Sequence, residues 1–79
     1  MKAGNAYRLI VTRGGRAPAL LADTARVDHI EVVELDSGEV VLFWDRNPQA
    51  ASKLARTLRT DLAELDADEF IARWSTVEP

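Results

Sequence analysis

The chain has 79 residues, no cysteine, one histidine and a formal net charge of −3. A domain of this length builds one thin hydrophobic core, and without cysteine it forms no disulfide, thiolate metal site or cysteine nucleophile. The single histidine, His29, excludes a multi-histidine metal site, and the acidic balance gives no overall attraction to nucleic acid or to anionic membranes.

The composition predicts a folded, soluble protein. Hydrophobic residues make up 47% of the chain and charged residues 29%, which is typical of globular domains and not of disordered ones. The longest apolar run, residues 40–44, is too short to span a membrane, and the N-terminus lacks the apolar segment of a signal peptide. We therefore expect a cytoplasmic protein, and the preference for arginine over lysine suggests a bacterial one.

The first strand is predicted over residues 6–13, where β-branched and aromatic residues place Tyr7, Leu9 and Val11 on one face. Two adjacent glycines end it, because they weaken any regular element. Residues 14–26 are expected to form a loop. Within it, residues 18–22 are either one helical turn opened by proline or an apolar loop packed on the core.

A β-hairpin is predicted from residues 27–35 and 39–45. The intervening Asp-Ser-Gly favours a type I turn, followed by glycine in the left-handed conformation of a bulge. This turn would pair Leu35 with Glu39. The register then places Val32 opposite Leu42, Ile30 opposite Trp44, and Val33 opposite Val41.

Two helices are predicted to follow the hairpin. Asn47 can cap the first, over residues 48–65, and its apolar positions recur on one helical face: Ala51, Leu54, Leu58, Leu62 and Leu65. Asp66 with Glu69 predicts a capping box for a short helix over residues 67–74. Residues 75–79 are expected to be unattached. The predicted fold is one α+β domain, a small antiparallel sheet of about three strands packed on one long amphipathic helix plus a short final helix.

The strand at residues 39–45 poses a burial problem, because its apolar run does not alternate with polar residues as a half-exposed strand should. One long helix covers one sheet face, which leaves Val33, Val41 and Phe43 on the other. Residues 18–21, the final helix or another chain could cover them. We expect a homodimer, since small cores gain most from shared burial and twofold pairing is the commonest assembly.

Basic residues form a strip on the long helix, where Lys53, Arg56 and Arg59 have no acidic residue three or four positions away. With Arg46, and with the turn at residues 13–16, this strip could follow the phosphates of a nucleic acid. The simpler interpretation is a solvated helix face whose aliphatic stems pack at the edge of the core.

His29 could pair with Asp28 or with Asp45 across the hairpin for acid–base chemistry. The sequence places no nucleophile beside it, since Ser37 belongs to the turn and Ser52 to an exposed helix position. The acids at residues 66–69 are explained by the helix N-terminus. We therefore predict no catalytic, metal or cofactor site.

These patterns favour a non-enzymatic protein–protein interaction module that binds itself or a larger protein. A small nucleic-acid-binding regulator that uses the basic strip is the first alternative. The second is a ligand-binding accessory or subunit of an enzyme, which a pocket between the long helix and the sheet would support.

Overall fold

The computed structural model describes residues 1–14 and 27–78, and within them the chain has an α+β fold. Its elements are α1 (Ala3–Ala6), β1 (Tyr7–Thr12), β2 (Asp28–Glu34), β3 (Val40–Arg46), α2 (Pro48–Glu64) and α3 (Ala67–Trp74). The strands form one antiparallel sheet in the order β1-β2-β3. This confirms the predicted fold class, and each predicted strand and helix is placed to within one residue. The predicted loop conformations over residues 15–26 lie outside the described residues.

The hairpin turn is one residue longer than predicted. Gly38 has the expected left-handed conformation, with φ of 73°. However, the backbone N–H of Glu34 donates to the carbonyl of Glu39, and that of Gly38 donates to the carbonyl of Glu34, both at 2.8 Å. The predicted pair of Leu35 and Glu39 is therefore wrong, and Leu35 lies inside the turn.

A β-bulge in β3 restores the register that the longer turn shifts. Away from the turn, Ile30 pairs with Trp44 and Val32 with Leu42, as predicted. The register changes between Val32 and Val33, so Val33 pairs with Val40 and the prediction that it pairs with Val41 is wrong. Two β3 residues thus oppose one residue of β2, which is the defining feature of a bulge.

One side of the sheet, called here the covered face, packs against α2 and α3. The largest fully buried side chains come from both layers: Ile30, Val32, Trp44, Leu58 and Phe70. On α2 the predicted apolar stripe is buried at Ala51, Leu58 and Leu62, while Leu54 and Leu65 are partly buried. Both tryptophans join this core, with their ring centroids 5.8 Å apart in an edge-on arrangement.

The N-terminal residues are part of the fold, although the sequence predicts no helix or strand before residue 6. Ala3 is fully buried, and its N–H donates to the carbonyl of Leu65 at 2.9 Å. The N–H of Ala67 donates to the carbonyl of Met1, so the N-terminus bridges the junction of α2 and α3. A helix of only four residues gives no periodic signal in sequence, which explains why it was missed.

The helix ends differ in how they are capped. The Asn47 side chain accepts a hydrogen bond from the N–H of Ala50 at 2.9 Å, as predicted for the start of α2. Asp66 occupies the N-cap position of α3 but makes no side-chain capping bond, so the predicted capping box is wrong. Instead, the Asp61 carboxylate of α2 accepts hydrogen bonds from the indole of Trp74 at 3.0 Å and from Arg73 at 3.2 Å.

Residues 75–78 are attached to the sheet, contrary to the prediction. The carbonyl of Val77 accepts a hydrogen bond from the Trp44 indole at 3.3 Å, and the carbonyl of Glu78 accepts one from Arg46 at 2.7 Å. These bonds hold the end of the described chain against β3.

Candidate functional sites

The sheet side opposite the helices is called here the open face. Residues that pair across antiparallel strands share a face, so the ladder assigns its members. From β1 they are Arg8, Ile10 and Thr12; from β2, His29, Glu31 and Val33; and from β3, Val41, Phe43 and Asp45, with Val40 added by the bulge.

Apolar side chains are concentrated at the hairpin end of the open face. Val40 is 48% exposed, Val41 39% and Phe43 42%, and Ile10 is 39% exposed on β1, the opposite edge strand. Val33 is partly buried in the middle strand. The structure thus brings the predicted interface residues Val33, Val41 and Phe43 together. The final helix, one of their predicted covers, packs on the covered face instead through Phe70 and Trp74.

Two opposite charges border this apolar patch. Arg8 pairs with Val33 along the β1–β2 ladder, and Glu31 lies between Ile10 and Phe43 in the next row. Within residues 1–14 and 27–78, neither Arg8 nor Glu31 forms an ion pair. Both charges are therefore available to a molecule that contacts the open face.

His29 and Asp45 form a polar pair at the other end of the open face. The strands pair these residues as expected from the hairpin, and His29 Nδ1 contacts Asp45 Oδ1. The imidazole also stacks on Phe43, with centroids 6.0 Å apart. The Ser37 hydroxyl donates a hydrogen bond to the Glu34 carboxylate at the turn, at 2.7 Å, and Ser52 lies on α2. The structure therefore brings neither serine to this pair.

A cavity of about 490 Å³, called here the arginine cleft, lies between the end of β1 and α2. Its apolar lining is Val11, Ala51 and Ala55. Val11 has the parity of the covered face but is 37% exposed, because the α2 residues across from it are alanines that leave space unfilled. Sequence reasoning placed Val11 on that face and missed the cleft. The pairing of a strand valine with two helix alanines was the signal that could have revealed it.

The polar lining of the cleft is cationic. Arg13 comes from the chain just after β1, and Arg56 and Arg59 come from α2. The hydroxyls of Ser52 and Thr60 complete the lining, and the Thr60 hydroxyl donates to the carbonyl of Arg56 at 3.2 Å. No acidic residue is among the lining residues in the described chain.

The predicted basic strip is only partly continuous. Lys53 lines a second cavity of about 530 Å³ that shares Ser52 and Arg56 with the arginine cleft. Arg46 does not line either cavity and donates instead to the carbonyls of Asp45 and Glu78. The structure therefore groups Lys53, Arg56 and Arg59 with Arg13, and separates Arg46 from them.

None of the helices in residues 1–14 and 27–78 has the length and apolar content that a membrane crossing requires. No group of three or more histidine, aspartate or glutamate side chains in the same residues is arranged to hold a metal ion.

Comparison with known proteins gives no match: no protein-family model, no curated protein and no solved structure is similar to this chain.

Proposed function

We propose that this chain is a non-enzymatic protein–protein interaction module, and that its open face binds the open face of a second copy. The observation that carries the proposal is the exposure of Val40, Val41 and Phe43 together on one side of a very small domain, with Ile10 exposed on the same face two strands away. Contiguous apolar side chains of this kind mark interaction surfaces on folded proteins.

Burial of the patch supplies the driving force. Complete burial of a large aliphatic or aromatic side chain contributes about 1.5–3 kcal/mol, and these side chains are already half covered, so each would add roughly 1 kcal/mol. β3 supplies most of this surface, because its run of five apolar residues places Val41 and Phe43 on the open face while Trp44 lies in the core.

The charges around the patch favour a second copy as the occupant. Consider two copies whose open faces are stacked, with a twofold axis in the plane between them. The axis is perpendicular to the strands and passes midway between the row of paired residues that contains Glu31 and the row that contains Val33. It stacks Phe43 of each copy over Val41 of the other. It also places Glu31 of each copy over Val33 of the other, one strand spacing of about 4.8 Å from Arg8. The apolar contacts and two opposite-charge pairs then form together.

The size of the face sets the expected affinity. Three strands about 4.8 Å apart and about 20 Å long outline roughly 300 Å² per copy. A standard stable interface buries about 800 Å² per partner, so this dimer belongs with the small, reversible interfaces. We expect it to dissociate on dilution through the micromolar range.

The first test is molar mass by light scattering over a dilution series. The unmodified chain should pass from dimer to monomer as it is diluted. Phe43→Thr and Val41→Thr should move that transition to higher concentration, because they remove apolar surface while threonine, a β-branched residue, suits a strand. Val11→Thr is the matched control: Val11 is an equally exposed valine of an edge strand, but on the other face. Val11→Thr should leave the concentration of the dimer-to-monomer transition unchanged.

The second test addresses the twofold arrangement. Arg8→Glu and Glu31→Arg should each weaken self-association, because each brings like charges together across the interface. The double variant R8E/E31R restores opposite charges and should recover the dimer. A chain that remains monomeric at millimolar concentration overturns the proposal, and failure of the double variant to recover overturns the arrangement of the two copies.

A further inference from the structure

We propose that the arginine cleft is a binding site for the phosphate group of a small phosphorylated molecule. The cleft lies on the covered side of the sheet, at the end of β1, so this inference does not depend on self-association through the open face.

The cleft carries positive charge that no acidic side chain neutralises within the described residues. Guanidinium groups remain protonated in proteins, so Arg13, Arg56 and Arg59 place three positive charges around one cavity. In the described part of the chain, none of the three side chains makes an ion pair or a hydrogen bond, although the protein has an excess of acidic residues. Like charges held together repel each other, and a bound anion would relieve that repulsion.

Hydrogen-bond donors lie on two walls of the cleft. Arg56 and Arg59 are three residues apart on α2, and the hydroxyl of Ser52 is one turn before them on the same side of the helix. Arg13 lines the cleft from the strand side. A compact oxyanion can therefore be contacted from both walls. The forked guanidinium geometry suits the oxygens of phosphate better than it suits a simple halide.

The size and lining of the cleft suit an organic molecule. Its volume of about 490 Å³ lies within the range of small-molecule sites and exceeds what a bare phosphate ion requires. The apolar surface formed by Val11, Ala51 and Ala55 can hold the organic part of a ligand. We therefore infer an organic phosphate as the ligand.

A small ligand fits the cleft better than a nucleic acid does. A nucleic acid needs a continuous track of cations along its backbone. Among the described residues this track ends at Lys53, because Arg46 is hydrogen-bonded to the end of the described chain, and the turn that carries Asp36 and Glu39 is acidic. The cationic region is therefore compact and suits one phosphate group.

The test is titration of the isotopically labelled full chain with phenyl phosphate and with inorganic phosphate, followed by amide NMR shifts. We expect saturable shifts at Ser52, Arg56, Arg59 and Thr60, with tighter binding of phenyl phosphate because its ring contacts the apolar lining. Arg56→Gln and Arg59→Gln should each weaken binding by about tenfold, the effect of losing one charge-assisted hydrogen bond. Arg8→Gln makes the same change of charge on the open face and should change the affinity less than about twofold.

Three outcomes would overturn the inference. The first is the absence of saturable binding of either probe up to about 20 mM, a concentration at which even a very weak specific site would be occupied. The second is binding of phenyl phosphate by the Arg56→Gln and Arg59→Gln variants with the same affinity as by the unmodified chain. The third is an oligothymidylate that binds the cleft more tightly than phenyl phosphate, which would assign the cleft to nucleic acid. Phe43→Thr should bind the probes normally, so failure of self-association and failure of this site are distinguishable.

Discussion

The two faces of the sheet are built from the same three strands and differ in what lies against them. Val32 and Val33 are adjacent in β2, yet Val32 is fully buried and Val33 is only partly so. The apolar side chains of α2 and α3 pack on the covered face, where Leu58 and Phe70 are inaccessible to solvent. Hydrophobic side chains on both faces of a strand need cover on both sides, and the helices of the described chain cover one of the two faces.

Polar groups show the same contrast. On the covered side, the buried Asp61 accepts two hydrogen bonds, and the buried Asp28 accepts one from the N–H of Gly14. On the open face, Arg8 and Glu31 have no ion-pair partner in the described residues. Buried polar groups need hydrogen-bond partners within the fold, whereas exposed charges are solvated by water and destabilise the fold little when they are unpaired.

The largest predicted effect separates the two valines of β2. Val32→Ala should lower the free energy of unfolding by about 2–3 kcal/mol, because it removes buried methyl groups and leaves a cavity. Val33→Ala makes the same chemical change one residue later and should cost about 1 kcal/mol or less. Urea denaturation of dilute samples, followed by tryptophan fluorescence, measures both. Equal losses at the two positions would show that the open face is covered in solution by the chain itself.

The same two substitutions should also differ in their effect on self-association. Val33→Ala should weaken self-association in the light-scattering series, because Val33 lies under Glu31 of the second copy in the proposed arrangement. Val32→Ala should not, provided that the samples remain folded. Val32→Ala should therefore have the larger effect on the free energy of unfolding, and Val33→Ala should have the larger effect on self-association.

The sequence predicts the elements well where local chemistry determines them. Asn47 followed by Pro48 sets the start of α2, and glycine at position 38 sets the left-handed end of the hairpin turn. The register near the turn could not be predicted, because a turn longer by one residue and a bulge in β3 compensate each other. Each alternative places the same residues in the strands, and only tertiary packing distinguishes them.

Features that depend on distant contacts were also missed. α1 is held by hydrogen bonds to the α2–α3 junction, and residues 75–78 by bonds to Trp44 and Arg46, none of which is encoded locally. For the candidate sites, the grouping of Val33, Val41 and Phe43 followed from strand parity. The arginine cleft did not, because it requires knowing that the end of β1 lies beside the alanines of α2.

The next largest effect concerns the hydrogen bonds that the Asp61 carboxylate accepts from Trp74 and Arg73 on the covered side. Asp61→Ala should lower the free energy of unfolding by about 2 kcal/mol, because it leaves the buried indole N–H of Trp74 without its acceptor. Glu64→Ala is the matched control on the same helix, since this side chain is exposed, and it should change stability by less than about 0.5 kcal/mol. Thermal unfolding followed by circular dichroism compares them. A loss no larger in Asp61→Ala than in the control would mean that α3 is held by apolar packing alone.

The smallest effect is a pH dependence on the covered side. Tyr7 is the only tyrosine, and burial raises the pKa of its phenol above the ordinary 10.0, with the nearby charges of Glu34 and Asp68 adding to the rise. Because the folded chain holds this proton more tightly than the unfolded chain, the stability it contributes is complete below pH 10.0 and is lost as the pH rises through the folded-state pKa. Phenolate absorbance should therefore report a pKa of Tyr7 above 10.0. Glu34→Gln should lower this pKa. The control Glu39→Gln, elsewhere in the hairpin, should leave it unchanged. In Tyr7→Phe this component of the alkaline loss of stability should disappear. A phenol that titrates at or below 10.0 would show that the covered face is open to water at its β1 edge.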